Sequence, residues 1–66
     1  MWVKYLENDI IKVNRITLNR NDFQIETDKL IIAVFKTEKE AVEEFDAIER
    51  ALIRGDNLYI ITPVKN

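Results

Sequence analysis

The feature that most constrains this fold is a single helix, complete with start and stop signals, lying between two apolar strands. Residues 35–57 read FKTEKEAVEEFDAIERALIRGDN, and they begin with a capping box in which Thr37 is the N-cap and Glu40 lies three residues further on. Gly55, the only glycine in the chain, lies where a left-handed residue ends a helix. Apolar residues recur at spacings of four, three and four, on one helical face: Ala41, Phe45, Ile48 and Leu52. The pattern predicts one amphipathic helix covering a sheet.

The stretch before the helix is typical of short strands joined by turns. WVKYL at residues 2–6 is rich in aromatic and β-branched residues. Residues 10–18 are strand-like, with an interruption near Asn14 that a bulge or bend would explain. FQIET at 23–27 alternates like a half-buried strand, after a turn at 19–22 whose asparagines tolerate the left-handed conformation. We expect one α+β domain over 1–66: a small antiparallel β-sheet (a β-meander of about four strands), one amphipathic helix and a final strand.

Two strands flanking the helix are apolar on both faces. LIIAVF at 30–35 shows no alternation, since Leu30, Ile32 and Val34 face one way and the three residues between and after them face the other. NLYIIT at 57–62 has the same character, with Pro63 closing it. A strand that is apolar on both faces is covered on both faces, and one helix covers only one. We therefore expect a homodimer or larger; a strongly coiled sheet that closes on itself is the alternative.

Composition excludes most chemistry. The 66 residues contain no cysteine, histidine or serine, so the chain lacks disulfides, thiolate or imidazole metal ligands and the common nucleophile–base pairs. One glycine cannot make a phosphate-cradling loop. The pair Glu40 and Glu44 is typical of a solvated acidic helix face. We expect a protein that is not an enzyme and that needs no cofactor or metal.

Net charge and hydropathy limit which partners and which cellular compartment can be expected. The net charge of −2 is too small to favour nucleic acid as a partner. The longest apolar run, residues 30–35, is far short of the roughly 20 residues that span a membrane. The N-terminus lacks the apolar core of a signal peptide. We expect a cytoplasmic protein that does not bind membranes.

Candidate binding residues concentrate at 12–22, KVNRITLNRND, where arginines and asparagines interleave. Guanidinium forks and amides suit phosphates and base edges. The alternative is an edge strand and turn kept soluble by charge. Aromatic residues could stack on a base, or could belong to the core or to an interface. The predicted ligand-binding residues are Trp2, Asn14, Arg15, Arg20 and Tyr59.

The stretch FKTEKEAVEEFDAI resembles a segment of small phage and prophage proteins that pair a β-meander with a helix, some of them similar to viral anti-defence sponges of the Thoeris anti-defence type. The matching positions are Phe35, Lys36, Thr37, Glu38, Ala41, Asp46 and Ile48. These are helix cap and core positions, so the resemblance carries the fold and no ligand contacts. It implies a phage-type protein, in the host cytosol, for which sequestration of a nucleotide-derived immune signal is plausible.

Three functions follow as hypotheses. The first is a non-enzymatic homo-oligomer that binds a nucleotide-derived signal between subunits. The second is an inhibitor or adaptor that binds a host protein directly, for example through the acidic helix face of Glu43, Asp46 and Glu49. The third is a small structural or regulatory dimer without a ligand.

Overall fold

The structure, a computed structural model, describes residues 1–6, 9–28 and 30–61. Within these ranges the chain forms six strands and one helix. Their order is β1 (Trp2–Leu6), β2 (Asp9–Lys12), β3 (Ile16–Asn19), β4 (Gln24–Thr27), β5 (Ile31–Val34), α1 (Glu38–Arg54) and β6 (Leu58–Ile60). In the same ranges no helix is both long enough and apolar enough to cross a membrane.

The described strands form two three-stranded sheets. Sheet A has the order β2-β1-β6, and sheet B has the order β3-β4-β5. Neighbouring strands are antiparallel except β6, which pairs with β1 in parallel. The α+β prediction is therefore confirmed. Five strands precede the helix, where the sequence predicted about four, because the bend expected near Asn14 divides residues 10–18 into β2 and β3. The two halves then join different sheets.

Helix α1 begins and ends where the sequence predicted. The backbone of Thr37 is extended, and its hydroxyl oxygen accepts a hydrogen bond from the amide of Glu40 at 3.2 Å. In return the Thr37 hydroxyl donates to the Glu40 carboxylate at 3.1 Å, a side-chain variation on the expected capping box. Gly55 has a φ of 80°, and its amide donates to the carbonyl of Leu52 at 3.1 Å. Only glycine adopts this conformation without steric cost.

The core lies between the inner faces of the two sheets and the apolar face of α1. Val3 and Ile25 contribute from the centres of sheets A and B, and Ile48 from the helix; all three are fully buried. The predicted helix face is confirmed, since Ala41 and Ile48 are buried while Phe45 and Leu52 are half-buried and packed against the core. Ala51, which the spacing did not single out, is buried as well.

Strand β5 departs from simple alternation because of a β-bulge. Its pairing with β4 shifts between Ile25, which faces Ala33, and Glu26, which faces Ile31, so Ile32 is an extra residue. Consequently Ile32 is buried and Ala33 packs against the same core, although the alternation had placed them on opposite faces. Leu30, Ile31 and Val34 are exposed. The residues predicted to share a face with Ile32 therefore lie outside the core.

The β3–β4 turn is built by Asn19, though not through its own backbone conformation. Its side-chain oxygen accepts hydrogen bonds from the amides of Asn21 at 3.1 Å and Asp22 at 3.2 Å. Asparagine was expected to take the left-handed conformation, but in the described residues the only non-glycine residue with positive φ is Phe23, at 55°.

Candidate binding face

The register of sheet A assigns alternate residues to opposite faces. Val3, Ile11 and Tyr59 are paired across the three strands and face the core, where Val3 is fully buried. The residues on either side of them therefore point away from the core. We call these six positions the outer face of sheet A: Trp2, Lys4, Ile10, Lys12, Leu58 and Ile60.

Apolar side chains dominate this outer face. Trp2 is 50% exposed, Ile10 56%, Leu58 51% and Ile60 60%. Trp2 is paired directly with Leu58, and Ile60 follows on the same strand, while Lys4 lies between Ile10 and Ile60. Patches of this kind on soluble proteins commonly mark interaction sites.

The same outer face is cationic. Lys12 pairs directly with Trp2 across β1 and β2, and Lys4 lies two residues along β1. None of the six positions is acidic, and neither lysine forms an ion pair with any residue that the structure describes. Directly opposed residues in a sheet have Cβ atoms about 5 Å apart and diagonal neighbours lie about 7–8 Å apart. Trp2, Lys4 and Lys12 therefore occupy neighbouring positions on this face.

The structure separates the two aromatic residues that were predicted to bind a ligand. Trp2 lies on the outer face of sheet A, whereas Tyr59, on the neighbouring strand, is paired with Val3 and faces inward. Tyr59 is half-buried and packs against the core. Trp2 and Tyr59 therefore cannot stack on the same base within one chain.

The environment of Tyr59 is that of a structural residue. Burial raises the pKa of its phenol to about 12, and the charge of Glu44 together with a hydrogen bond to it acts in the same direction, while Arg50 opposes them. The phenol therefore stays protonated at neutral pH.

The predicted polar contacts lie on two different connections. Asn14 and Arg15 are exposed in the segment between β2 and β3, immediately after Lys12 and Val13. Arg20 is exposed in the β3–β4 turn, where its guanidinium lies 3.8 Å from the carboxylate of Glu38 at the start of α1. An exposed ion pair of this length is weak and leaves Arg20 able to exchange partners.

The residues that share the outer face of sheet A with Trp2 were not predicted from the sequence. Lys4 could have been found, because the alternation of WVKYL places residues 2 and 4 on one face. Lys12 belongs to the polar stretch 12–22, but its pairing with Trp2 depends on the β1–β2 register. Leu58 and Ile60 join the face only through the parallel pairing of β6 with β1, which local sequence does not reveal.

A second surface feature is an acidic groove beside the helix. A shallow cavity of about 250 Å³ is lined by Phe35, Glu40, Glu43 and Glu44. Among the described residues no group of acidic side chains is arranged to hold a metal ion. The groove can accept a basic or polar side chain of a partner, since its walls are carboxylates around one aromatic ring.

Comparisons with known proteins add no relative. No protein-family model, no curated protein and no solved structure matches this chain. The resemblance to phage anti-defence proteins stays a prediction.

Proposed function

We propose that this protein is a non-enzymatic, phage-type anti-defence binding protein that acts as a homo-oligomer and sequesters a nucleotide-derived immune signal. The observation that carries the proposal is the outer face of sheet A, where exposed Trp2 lies beside Lys12 and near Lys4. An aromatic ring with two neighbouring ammonium groups is the chemistry that recognises a base joined to phosphates.

Each part of a nucleotide has a counterpart on this face. The half-exposed indole of Trp2 offers a stacking surface for a base. The ammonium groups of Lys12 and Lys4 bind phosphate oxygens by charge-assisted hydrogen bonds. Asn14 and Arg15 follow directly after β2 and extend the polar surface next to Lys12, so they are the best placed of the other predicted contacts.

The direct test is tryptophan fluorescence, because Trp2 is the only tryptophan in the chain. ADP-ribose and cyclic di-AMP are titrated separately, with inorganic pyrophosphate as the probe that has charge but no base. Stacking should quench the emission with both nucleotides at micromolar concentration, whereas pyrophosphate should leave it nearly unchanged. Absence of quenching by either nucleotide would contradict the proposal.

Variants assign the contacts, with binding followed by calorimetry. Trp2→Ala should weaken nucleotide binding about 10-fold to 100-fold, because stacking contributes about 1–3 kcal/mol per base. Lys12→Gln should weaken it about fivefold, as an exposed charged contact contributes about 1 kcal/mol. Lys36→Gln is the matched control, since Lys36 is exposed and lies outside the sheet. An equal loss in Lys36→Gln would mean that only the net charge matters.

Arg15→Ala and Arg20→Ala test the remaining predicted contacts. Arg15 should contribute more than Arg20, because Arg15 follows the strand that carries Lys12 whereas Arg20 is near Glu38 at the start of α1. Nucleotide binding that is unchanged when both arginines are removed would confine the site to the outer face of sheet A.

A second candidate function is direct inhibition of a host protein. It is favoured by the acidic surface of α1, where Glu43, Asp46 and Glu49 are all exposed and Glu43 also lines the acidic groove. Such a surface suits a basic segment of a partner. Charge reversal at Glu43 and Asp46 should then abolish capture of the partner, and capture that survives the reversal would exclude this face.

A further inference from the structure

Strand β5 lies at an edge of sheet B, and among the described strands its one neighbour is β4. Phe35, directly after β5, donates its amide hydrogen towards that neighbour, to the carbonyl of Phe23 at 2.9 Å. Successive residues of a strand point their N–H and C=O groups to opposite sides, so those of Val34 point away from β4. An edge of this kind is a template on which a further strand can pair.

The other edges of the two sheets are shorter or more polar than β5. Strand β2 has a charged residue at each end, β3 places Thr17 and Asn19 on its outward side, and β6 has three residues. Residues 30–35 include no charge, and Ile31 and Val34 are 48% and 52% exposed. Proteins commonly prevent edge pairing with charged side chains. Residues 30–35, which we call the β5 edge, lack that protection.

The acidic groove begins where β5 ends. Phe35 follows Val34 along the chain and is itself one wall of the groove. Of the carboxylates that line the groove, Glu40 takes part in the helix cap. The described contact of Glu43 is an exposed ion pair with Lys39 at 4.0 Å, which is weak. Glu43 is therefore available to a cation from a partner.

We propose that the β5 edge binds an extended segment of a partner protein, which adds to sheet B antiparallel to β5 and places a basic side chain in the acidic groove. The backbone of the segment pairs with Val34, and its apolar side chains cover Ile31 and Val34. Its lysine or arginine lies at its N-terminal end, beside Glu43 and the ring of Phe35. This surface is separate from the outer face of sheet A, so the inference goes beyond the proposed function.

The β-bulge decides between a partner segment and a second copy of this chain. The extra residue Ile32 confines regular pairing to residues 32–35. Two copies of β5 side by side would each set a bulge against regular residues of the other. A partner segment without a bulge avoids this mismatch, and a short segment suffices.

The first test uses a short synthetic peptide with blocked termini that begins with lysine and continues with alternating valine and threonine. Fluorescence anisotropy of the labelled peptide should show saturable binding. At saturation, hydrogen exchange of the Val34 amide should slow about 10-fold or more, whereas the Phe35 amide, already bonded to Phe23, should change little. The control peptide has the same side chains but carries N-methyl groups on the amides that would face β5. Equal binding of the two peptides, or binding of neither, would overturn the proposal.

A pair of charge variants tests the edge itself. Val34→Lys puts an ammonium group on the β5 edge, and Ile53→Lys makes the same change in charge on α1, where Ile53 is 79% exposed. Val34→Lys should weaken peptide binding about 10-fold or more, while Ile53→Lys should bind as wild type. Equal binding by the two variants would overturn the proposal. A wild-type dimer in sedimentation velocity that Val34→Lys abolishes would also overturn it, because a second copy would then occupy the edge.

A second pair of variants tests the groove. Glu43→Gln should weaken binding of the lysine peptide about fivefold, as an exposed charged contact contributes about 1 kcal/mol. Glu49→Gln is the matched control, since Glu49 is exposed on the same helix and does not line the groove. Equal binding by these two variants would exclude the groove as the place of the basic side chain. Nucleotide quenching of Trp2 should be the same in all four variants, so failure of this proposal is distinguishable from failure of the proposed function.

Discussion

At the residue scale, Trp2 and Tyr59 show that position in the register decides what an aromatic side chain does. Both lie on neighbouring strands of sheet A and both are plausible stacking residues by type. Trp2 is paired with Lys12 and Leu58 on the outer face, whereas Tyr59 is paired with Val3 on the inner face. Trp2 is therefore exposed for contact with a ligand, whereas Tyr59 packs against the core.

Tyr59 makes a prediction about alkaline stability. Its pKa is raised to about 12 in the folded protein, against about 10 for an unfolded chain. The unfolded state therefore loses its proton first as the pH rises. The stabilisation is complete below about pH 10 and is lost progressively between about pH 10 and 12.

Tyr59→Phe tests this dependence by urea denaturation at neutral pH and above the ordinary tyrosine pKa of about 10. Wild type should lose more unfolding free energy across that interval than Tyr59→Phe, which has no proton to lose at residue 59. Parallel pH curves for the two proteins would show that the phenol ionises without penalty in the folded state.

At the scale of elements, α1 is the part of the fold that the sequence specifies most completely. Its start at Thr37, its end at Gly55 and its buried face all follow from residues within one stretch. Capping bonds and helical periodicity relate residues only three or four positions apart. The residues of this one stretch are therefore sufficient to predict the helix.

The two isoleucines of α1 measure how strongly that buried face holds the fold. Ile48→Ala removes a fully buried side chain from the core and should lower the unfolding free energy by about 2–5 kcal/mol. Ile53→Ala changes a residue that is 79% exposed and should stay within about 0.5 kcal/mol of wild type. Urea denaturation checks both. Equal losses would mean that the assigned core face of the helix is wrong.

The strands could be predicted only in part, for reasons visible in particular residues. The bend at Asn14 was evident because the alternation on its two sides disagrees. The bulge at Ile32 was not evident, since Ile31, Ile32 and Ala33 are all apolar and no polar residue marks which of them is extra. In an all-apolar run the sequence gives little indication of a one-residue shift in strand register. Such a shift nevertheless moves side chains to the opposite face of the sheet.

The candidate site was predicted least well, because it is made by pairing between distant strands. Trp2 was expected to bind, but its cross-strand partner Lys12 is ten residues away and Leu58 lies at the other end of the chain. Arg20 and Tyr59 were chosen by residue type, and the fold places them on a different turn and on the inner face. Local sequence patterns predict individual helices and strands. A surface made by several strands can be described only when the pairing of those strands is known.

At the scale of the whole molecule, opposite charges lie on different surfaces. The outer face of sheet A carries two lysines and no acid among its six positions, while the exposed side of α1 carries a row of carboxylates. One face of the molecule is therefore cationic and apolar, although the net charge of the chain is −2. Small anions should therefore be attracted to the outer face of sheet A, although the net charge of the chain is negative.

Self-association without a nucleotide should accordingly depend on anions. Sodium sulfate should shift wild type towards the dimer in sedimentation experiments, because sulfate neutralises Lys4 and Lys12 and also strengthens apolar burial. The double variant Lys4→Gln, Lys12→Gln should dimerise more readily in low salt and respond less to sulfate. If the variant and wild type respond equally, the lysines do not control association.

The parallel pairing of β6 with β1 has a consequence for how the protein is made. Trp2 is hydrogen-bonded next to Leu58, so the strand at the centre of sheet A acquires one of its two neighbours from the far end of the chain. A nascent polypeptide emerging from the ribosome can form sheet B, the helix and the β1–β2 pair, but sheet A is complete only once Ile60 has been released. Until then Val3 lacks its neighbour Tyr59 on β6. Translation must therefore run almost to the last residue described before this domain can fold.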